Sequence, residues 1–150
     1  MSTDDPSDSN TGVTALGKVP FLAELHRDEL EAIAAVGESV RFDAGQAIVQ
    51  KGDQGDAMYV LLSGSAQVEV GGRYHDLKPG DFFGEMGVIA GRQRVATVKA
   101  TDAVAALRIP ADGFQAFVLE HPKVALVMMR SLVDRLREVQ ERVDSWMGVW

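Results

Sequence analysis

The sequence predicts a mainly β fold, an antiparallel β-roll (jelly-roll-like) with short N-terminal helices and a long C-terminal helix. Three observations predict it. Between about residues 39 and 109, short apolar runs are broken every few positions by Gly and Asp, the pattern of a small roll or barrel. Within that region Gly71-Gly72 sits between two alternating runs, and both positions can take the positive φ of a tight hairpin. After Pro110 the apolar period changes from two residues to the helical spacing.

Residues 1–17 are mostly Ser, Thr, Asp, Asn, Pro and Gly, and are expected to form a disordered acidic tail ahead of one domain over 18–150. Val19 to Leu25 reads as a helical turn. Asp28 is placed to cap a helix over Glu29 to Val36, with Gly37 to end it. Val40 and Phe42 open the roll, followed by the Asp43-Ala44-Gly45 turn, a strand at Ala47 to Val49, and a turn from Lys51 to Asp56. Met58 to Leu62 is a strand, and Ser63-Gly64-Ser65 a turn. Ala66, Val68 and Val70 then alternate with Gln67 and Glu69. Tyr74 to Leu77 returns, Lys78 to Asp81 turns again, Arg94 to Ala100 alternates as a strand, and Ala103 to Ile109 is closed by Pro110.

The C-terminal helices are expected over about 111–147: a short one at Gly113 to Glu120, and a long one that Pro122 opens. Along the long helix Ala125, Met129, Leu132, Leu136, Val139, Val143 and Trp146 follow one another at steps of 4, 3, 4, 3, 4 and 3, a heptad seam. Such a helix either packs on its own roll or also pairs with a second copy. Some 25 residues span ~38 Å, more than a small barrel covers, which favours a homodimer.

Composition removes several function classes. The chain has 150 residues, 46% hydrophobic and 25% charged, as in ordinary globular domains. It has no cysteine, hence no disulfide, thiolate metal site or cysteine nucleophile. No signal-like stretch or membrane-length apolar run is visible, so a cytoplasmic location is expected. Net charge is −7, and −4 once Asp4, Asp5 and Asp8 of the tail are set aside. An acidic chain with only about three residues beyond Met147, and so no DNA-reading domain after it, is not expected to bind DNA. His26, His75 and His121 have no paired spacing, so neither a metal site nor a cupin-type enzyme is expected.

One stretch resists a purely structural reading. In Arg94-Val95-Ala96-Thr97-Val98-Lys99-Ala100 a period of two puts Arg94 on the apolar face with Ala96, Val98 and Ala100. A buried guanidinium requires an anion, because an unpaired buried charge costs several kcal/mol. Either an acid of the protein or a ligand supplies it. Backbone N–H groups after Gly84 would be free to assist.

The order of these motifs resembles the cyclic-nucleotide-binding domain of catabolite activator protein and of protein kinase A regulatory subunits. The resemblance runs from about Val19 to Val143. It rests on the Lys51-Gly52-Asp53 turn, the Tyr59 to Val68 strand–turn–strand, Pro79-Gly80-Asp81-Phe82-Phe83-Gly84-Glu85, and Arg94-Val95-Ala96-Thr97-Val98 nine positions after Glu85. It implies that Gly84 to Arg94 is a phosphate-binding cassette, with Glu85 accepting from the ribose 2′-hydroxyl and Arg94 meeting the cyclic phosphate. Gly84 and Gly87 would allow close backbone approach. Met86, Val68 and Leu77 would line sugar and base, Val95 and Ala96 would follow the arginine at the phosphate, and Val139 and Gln140 of the long helix would reach the base. Val95 offers no hydroxyl to guanine, which makes cAMP the expected ligand over cGMP. The function so implied is a stand-alone, non-enzymatic regulatory module, signalling through its C-terminal helix to a dimer mate or an effector protein. The alternative is a dimerisation or docking module whose pocket is altered.

Overall fold

In the computed structural model residues 13, 16–19, 22–91 and 93–147 are described, with side chains to residue 143. Two antiparallel four-stranded sheets face one another. One runs β1 (Glu38–Phe42), β8 (Val104–Pro110), β3 (Ala57–Ser63), β6 (Phe82–Phe83); the other β2 (Ala47–Val49), β7 (Thr97–Ala100), β4 (Ala66–Val70), β5 (Arg73–Leu77). The roll with flanking helices and a long C-terminal helix is the predicted architecture.

The β3 strand organises both cores. Ala57, Tyr59 and Leu61 point between the sheets, while Met58 and Val60 point at the helices. Both faces are covered, which explains an uninterrupted apolar run where a half-exposed strand would alternate. Helices α1 (Arg27–Val36), α3 (Ala111–Glu120) and the start of α4 (Pro122–Met147) cover the outer face through Ile33, Phe114, Phe117 and Val124. The Gly71-Gly72 hairpin forms with φ of 57° and 80°, pairing Val70 with Arg73.

Several boundaries differ from expectation, each for a local reason. Val13 and Leu16 are buried in the helical core, so packing begins inside the stretch read as a tail; most of 1–17 lies outside the described residues. His26, not Asp28, precedes α1, because the Glu29 carboxylate accepts from the His26 N–H at 3.1 Å. The helix read from Gly113 starts at Ala111, whose N–H donates to the Asp56 carbonyl at 2.9 Å. The strand read from Arg94 starts at Thr97. Arg94 is instead pinned to the preceding turn, its N–H donating to Asp53 O at 2.7 Å and its carbonyl accepting from Gly52 N–H at 2.9 Å.

The domain itself takes part of the α4 seam, while Met129, Leu136, Val139 and Val143 of it stay exposed. Val124, Val127 and Met128 are buried, and Leu132 packs on the core with Ala125 half-covered, so these face the helix's own domain. Leu126, Met129, Val133, Leu136, Val139 and Val143 are left exposed. A heptad count finds apolar positions but does not say which of them the domain itself will take. Trp146 lies outside the described side chains.

A contrast of two leucines tests the core. Leu61→Ala, at a fully buried β3 position, should lower unfolding free energy by about 2–5 kcal/mol. Leu119→Ala, at a site 84% exposed, should stay within about 0.5 kcal/mol in the same denaturant titrations.

Candidate functional site

Between β6 and β7 the chain forms a short helix, α2 (Glu85–Ala90), entered through Gly84 at φ 84°. A side chain at Gly84 would meet the Arg94 guanidinium at 2.6 Å and the Ala57 carbonyl at 3.0 Å. At Gly87 a Cβ would fall 2.5 Å from Gly55 Cα. The expectation was that these glycines let backbone approach a ligand; the close approaches here are to the protein's own Arg94 and Gly55. Glycine therefore lets α2 sit against the 51–56 turn and lets the guanidinium slide beneath its entry.

Arg94 is buried, 7% exposed, as its alternation with Val98 and Ala100 implied. Its Nη1 donates to the Gly84 carbonyl at 3.0 Å and its Nη2 to the Ala57 carbonyl. Neither acceptor carries a formal charge. The acid near it is Asp56, with Oδ1 3.9 Å from Nη2. The other Asp56 oxygen accepts from Arg108 at 3.3 Å, and Arg108 also donates to Glu38 at 3.0 Å. Burial works against the Arg108 charge, but its hydrogen bond with Tyr59 and the nearby carboxylates outweigh this and raise its pKa.

Glu85, nine positions earlier, does not pair with Arg94. It accepts from Arg135 Nη1 of α4 at 3.0 Å, while Arg135 Nη2 donates to the Phe82 carbonyl at 2.9 Å. The same guanidinium lies 4.1 Å above the Phe82 ring, a cation–π distance. Gln115 of α3 donates to the Val88 carbonyl at 3.1 Å and holds the far side of α2.

These groups border an open cavity of about 670 Å3, within the 300–1,000 Å3 typical of small-ligand sites. Gly84, Glu85, Met86, Gly87 and Arg94 line it from the cassette side, followed by Val95 and Ala96. Val68 and Leu77 line it from β4 and β5, and Val139 from α4. Gln140 does not line it. The α4 stripe that does is Arg135, Glu138, Val139 and Arg142, at helical steps of 3, 1 and 3, and Gln140 lies off that stripe. His75 also faces the cavity from β5. Among the described residues no group of three or more His, Cys, Asp or Glu could hold a metal ion.

Sequence reasoning missed Arg135 and Asp56. Arg135 falls outside the heptad seam, although its spacing with Val139 and Arg142 places all three on one face. Asp56 counted as a turn residue, and nothing in its local spacing points at Arg94.

With this geometry in hand, the family model described as cyclic nucleotide-binding domain matches residues 39–121. The chain is 38% identical over 119 residues to Glutaminase 2 of Bradyrhizobium diazoefficiens, an alignment covering 78% of this chain and 19% of that protein. It is 36% identical over 103 residues to the cAMP-dependent protein kinase regulatory subunit of Emericella nidulans, covering 67% of this chain and 25% of that one. The chain thus spans about a fifth to a quarter of the length of these relatives. Its structure is similar to that of Thermus thermophilus catabolite activator protein, with a TM-score of 0.77 at 26% identity over 85% of this chain and 63% of that one.

The packing role of Gly87 is testable on the protein alone. Alanine is the better helix former by about 1 kcal/mol, so an open site would gain stability from Gly87→Ala. Backbone at 2.5 Å reverses the sign, and a loss of about 1–3 kcal/mol is expected by chemical denaturation.

Proposed function

Because this chain belongs to the cyclic nucleotide-binding domain family, we propose that it is a regulatory module binding cAMP in the cavity between the Gly84–Arg94 cassette, β4–β5 and α4. The observation that carries this reading is the pair Arg94 and Glu85. They are buried at one cavity wall, opposite in charge, and partnered elsewhere rather than with each other. Arg94 offers a planar fork for the cyclic phosphate. Glu85 retains carboxylate lone pairs for a ribose hydroxyl beside its bond to Arg135. Met86, Val68, Leu77 and Val139 supply the apolar walls for sugar and base.

Val95 lines the cavity without a hydroxyl, which supports adenine over guanine, as does the name of the cAMP-dependent relative. One observation favours a second reading. Glu138 lines the α4 side of the cavity, and a carboxylate there can accept from both N1–H and N2–H of guanine. Titration with both nucleotides separates the two.

Signalling follows from Arg135. It joins Glu85 and Phe82 to α4, so a ligand that engages Glu85 alters the attachment of the helix and shifts its position in the ensemble. The exposed apolar stripe of α4, from Leu126 to Val143, would carry that change to a second copy or an effector protein. Among the described residues no helix is long and apolar enough to cross a membrane. The activity of any longer protein containing it would belong to its other parts.

Isothermal titration should detect cAMP binding to nucleotide-free protein, with cGMP weaker. Arg94→Ala should lose about a hundredfold or more in affinity, the cost of removing one partner of a desolvated charge pair; a heat-silent wild type with millimolar cAMP rejects the reading. Leu136→Asp should leave nucleotide affinity near wild type while sedimentation velocity shows any dimer falling to monomer.

A further inference from the structure

The segment that carries Arg94 into β7 is fastened to the 51–56 turn along its whole length. The turn begins at an irregular end of the β2–β7 pairing, where the register shifts between Ala47↔Lys99 and Val49↔Val98. Just past that shift the Lys51 N–H donates to a side chain, the Thr97 hydroxyl oxygen, at 3.1 Å. The turn then runs beside the cassette exit. Gly52 N–H donates to the Arg94 carbonyl at 2.9 Å, Arg94 N–H donates to the Asp53 carbonyl at 2.7 Å, and Gln54 bridges to Gln93. Beyond it come Gly55, packed against Gly87 of α2, and Ala57, whose carbonyl accepts from the Arg94 guanidinium. This stretch therefore holds Arg94 by both its backbone and its side chain. Its far end is fixed by the bond from Ala111 N–H to the Asp56 carbonyl, and its near end is tied to β7 through the Thr97 hydroxyl. Thr97 does not itself line the cavity, although Val95, Ala96 and Val98 around it do.

We propose that Thr97 is a positioning residue for the nucleotide site: its hydroxyl sets the 51–56 turn against β7 and, through that turn, the direction in which Arg94 presents its guanidinium. The proposal rests on the nucleotide-binding reading above. What the position requires is an acceptor and not only a β-branched side chain. Valine would keep the strand preference but offers nothing to the Lys51 N–H. Lys51 is exposed, so its N–H would turn to water. The loss then falls on the placing of the turn rather than on stability, because no donor is left buried without a partner.

The test is isothermal titration of Thr97→Val and Thr97→Ser with cAMP, alongside denaturant titration of each variant. Thr97→Val should weaken binding about threefold to tenfold, the scale of one net hydrogen bond, with its unfolding midpoint close to wild type. Thr97→Ser keeps the acceptor and should bind as the wild type does. The Arg94 Nε–H resonance, read by NMR before nucleotide is added, should move in Thr97→Val and stay in place in Thr97→Ser. Should Thr97→Val not fold, Thr97→Ala takes its place. Equal weakening in the valine and serine variants marks a role in strand packing alone and overturns the proposal, as does an unmoved Arg94 resonance in Thr97→Val. Binding of neither cAMP nor cGMP by the wild type overturns the nucleotide reading and this inference together; wild-type affinity in Thr97→Val, on a protein that binds, overturns this inference alone.

Discussion

The burial of one guanidinium sets the terms for the rest of the structure. Arg94 must find acceptors for its N–H groups away from water, and it takes them from the carbonyls of Gly84 and Ala57. Those carbonyls belong to the entry of α2 and the first residue of the central strand β3. Its own backbone is bonded to the 51–54 turn. One side chain thereby holds together the cassette, the turn and the strand that divides the two cores. The glycines follow from this arrangement: Gly84 has no Cβ because the guanidinium occupies that space, and Gly87 none because Gly55 does.

A second arginine solves a different problem. Glu85 is also buried, and an unpaired carboxylate there would be as costly as an unpaired guanidinium. Arg135 reaches it from α4 and uses its remaining surface on the Phe82 carbonyl and ring. Two buried charges of opposite sign thus border one cavity without neutralising each other. Direct pairing would close the site. Partnering each with a different group leaves both on the cavity wall and makes the long helix one of the partners. The arrangement serves the proposed nucleotide, anionic at one end and hydroxyl-bearing beside it.

The charge arrangement also explains why an acidic domain can hold an anion. At a net charge of −7 the surface field does not attract one. Attraction has to be local, and here it comes from the cations that line the cavity, Arg94 with Lys78, Arg135 and Arg142, of which Arg94 is buried and shares a largely exposed carboxylate.

Local chemistry carried far in this chain. The strand and helix periods, the Gly71-Gly72 hairpin, Pro122 as a helix opener and the inward direction of Arg94 all depend on residues within a few positions of one another, where spacing fixes geometry. The order of motifs was enough to reveal the family. What spacing does not encode is which distant side chain meets which. Arg135 lies 50 residues from Glu85, and Asp56 approaches Arg94 only because β3 and the cassette pack side by side. The same holds for the outward stripe of α4: the heptad marks apolar positions, but Val124, Val127 and Met128 had first to bury themselves before Leu126, Val133 and Leu136 became the free face. The amino-acid sequence by itself determined the elements and the presence of a charge needing a partner. Only the tertiary structure decided the partners, because charge pairing and burial depend on through-space distances that the fold creates.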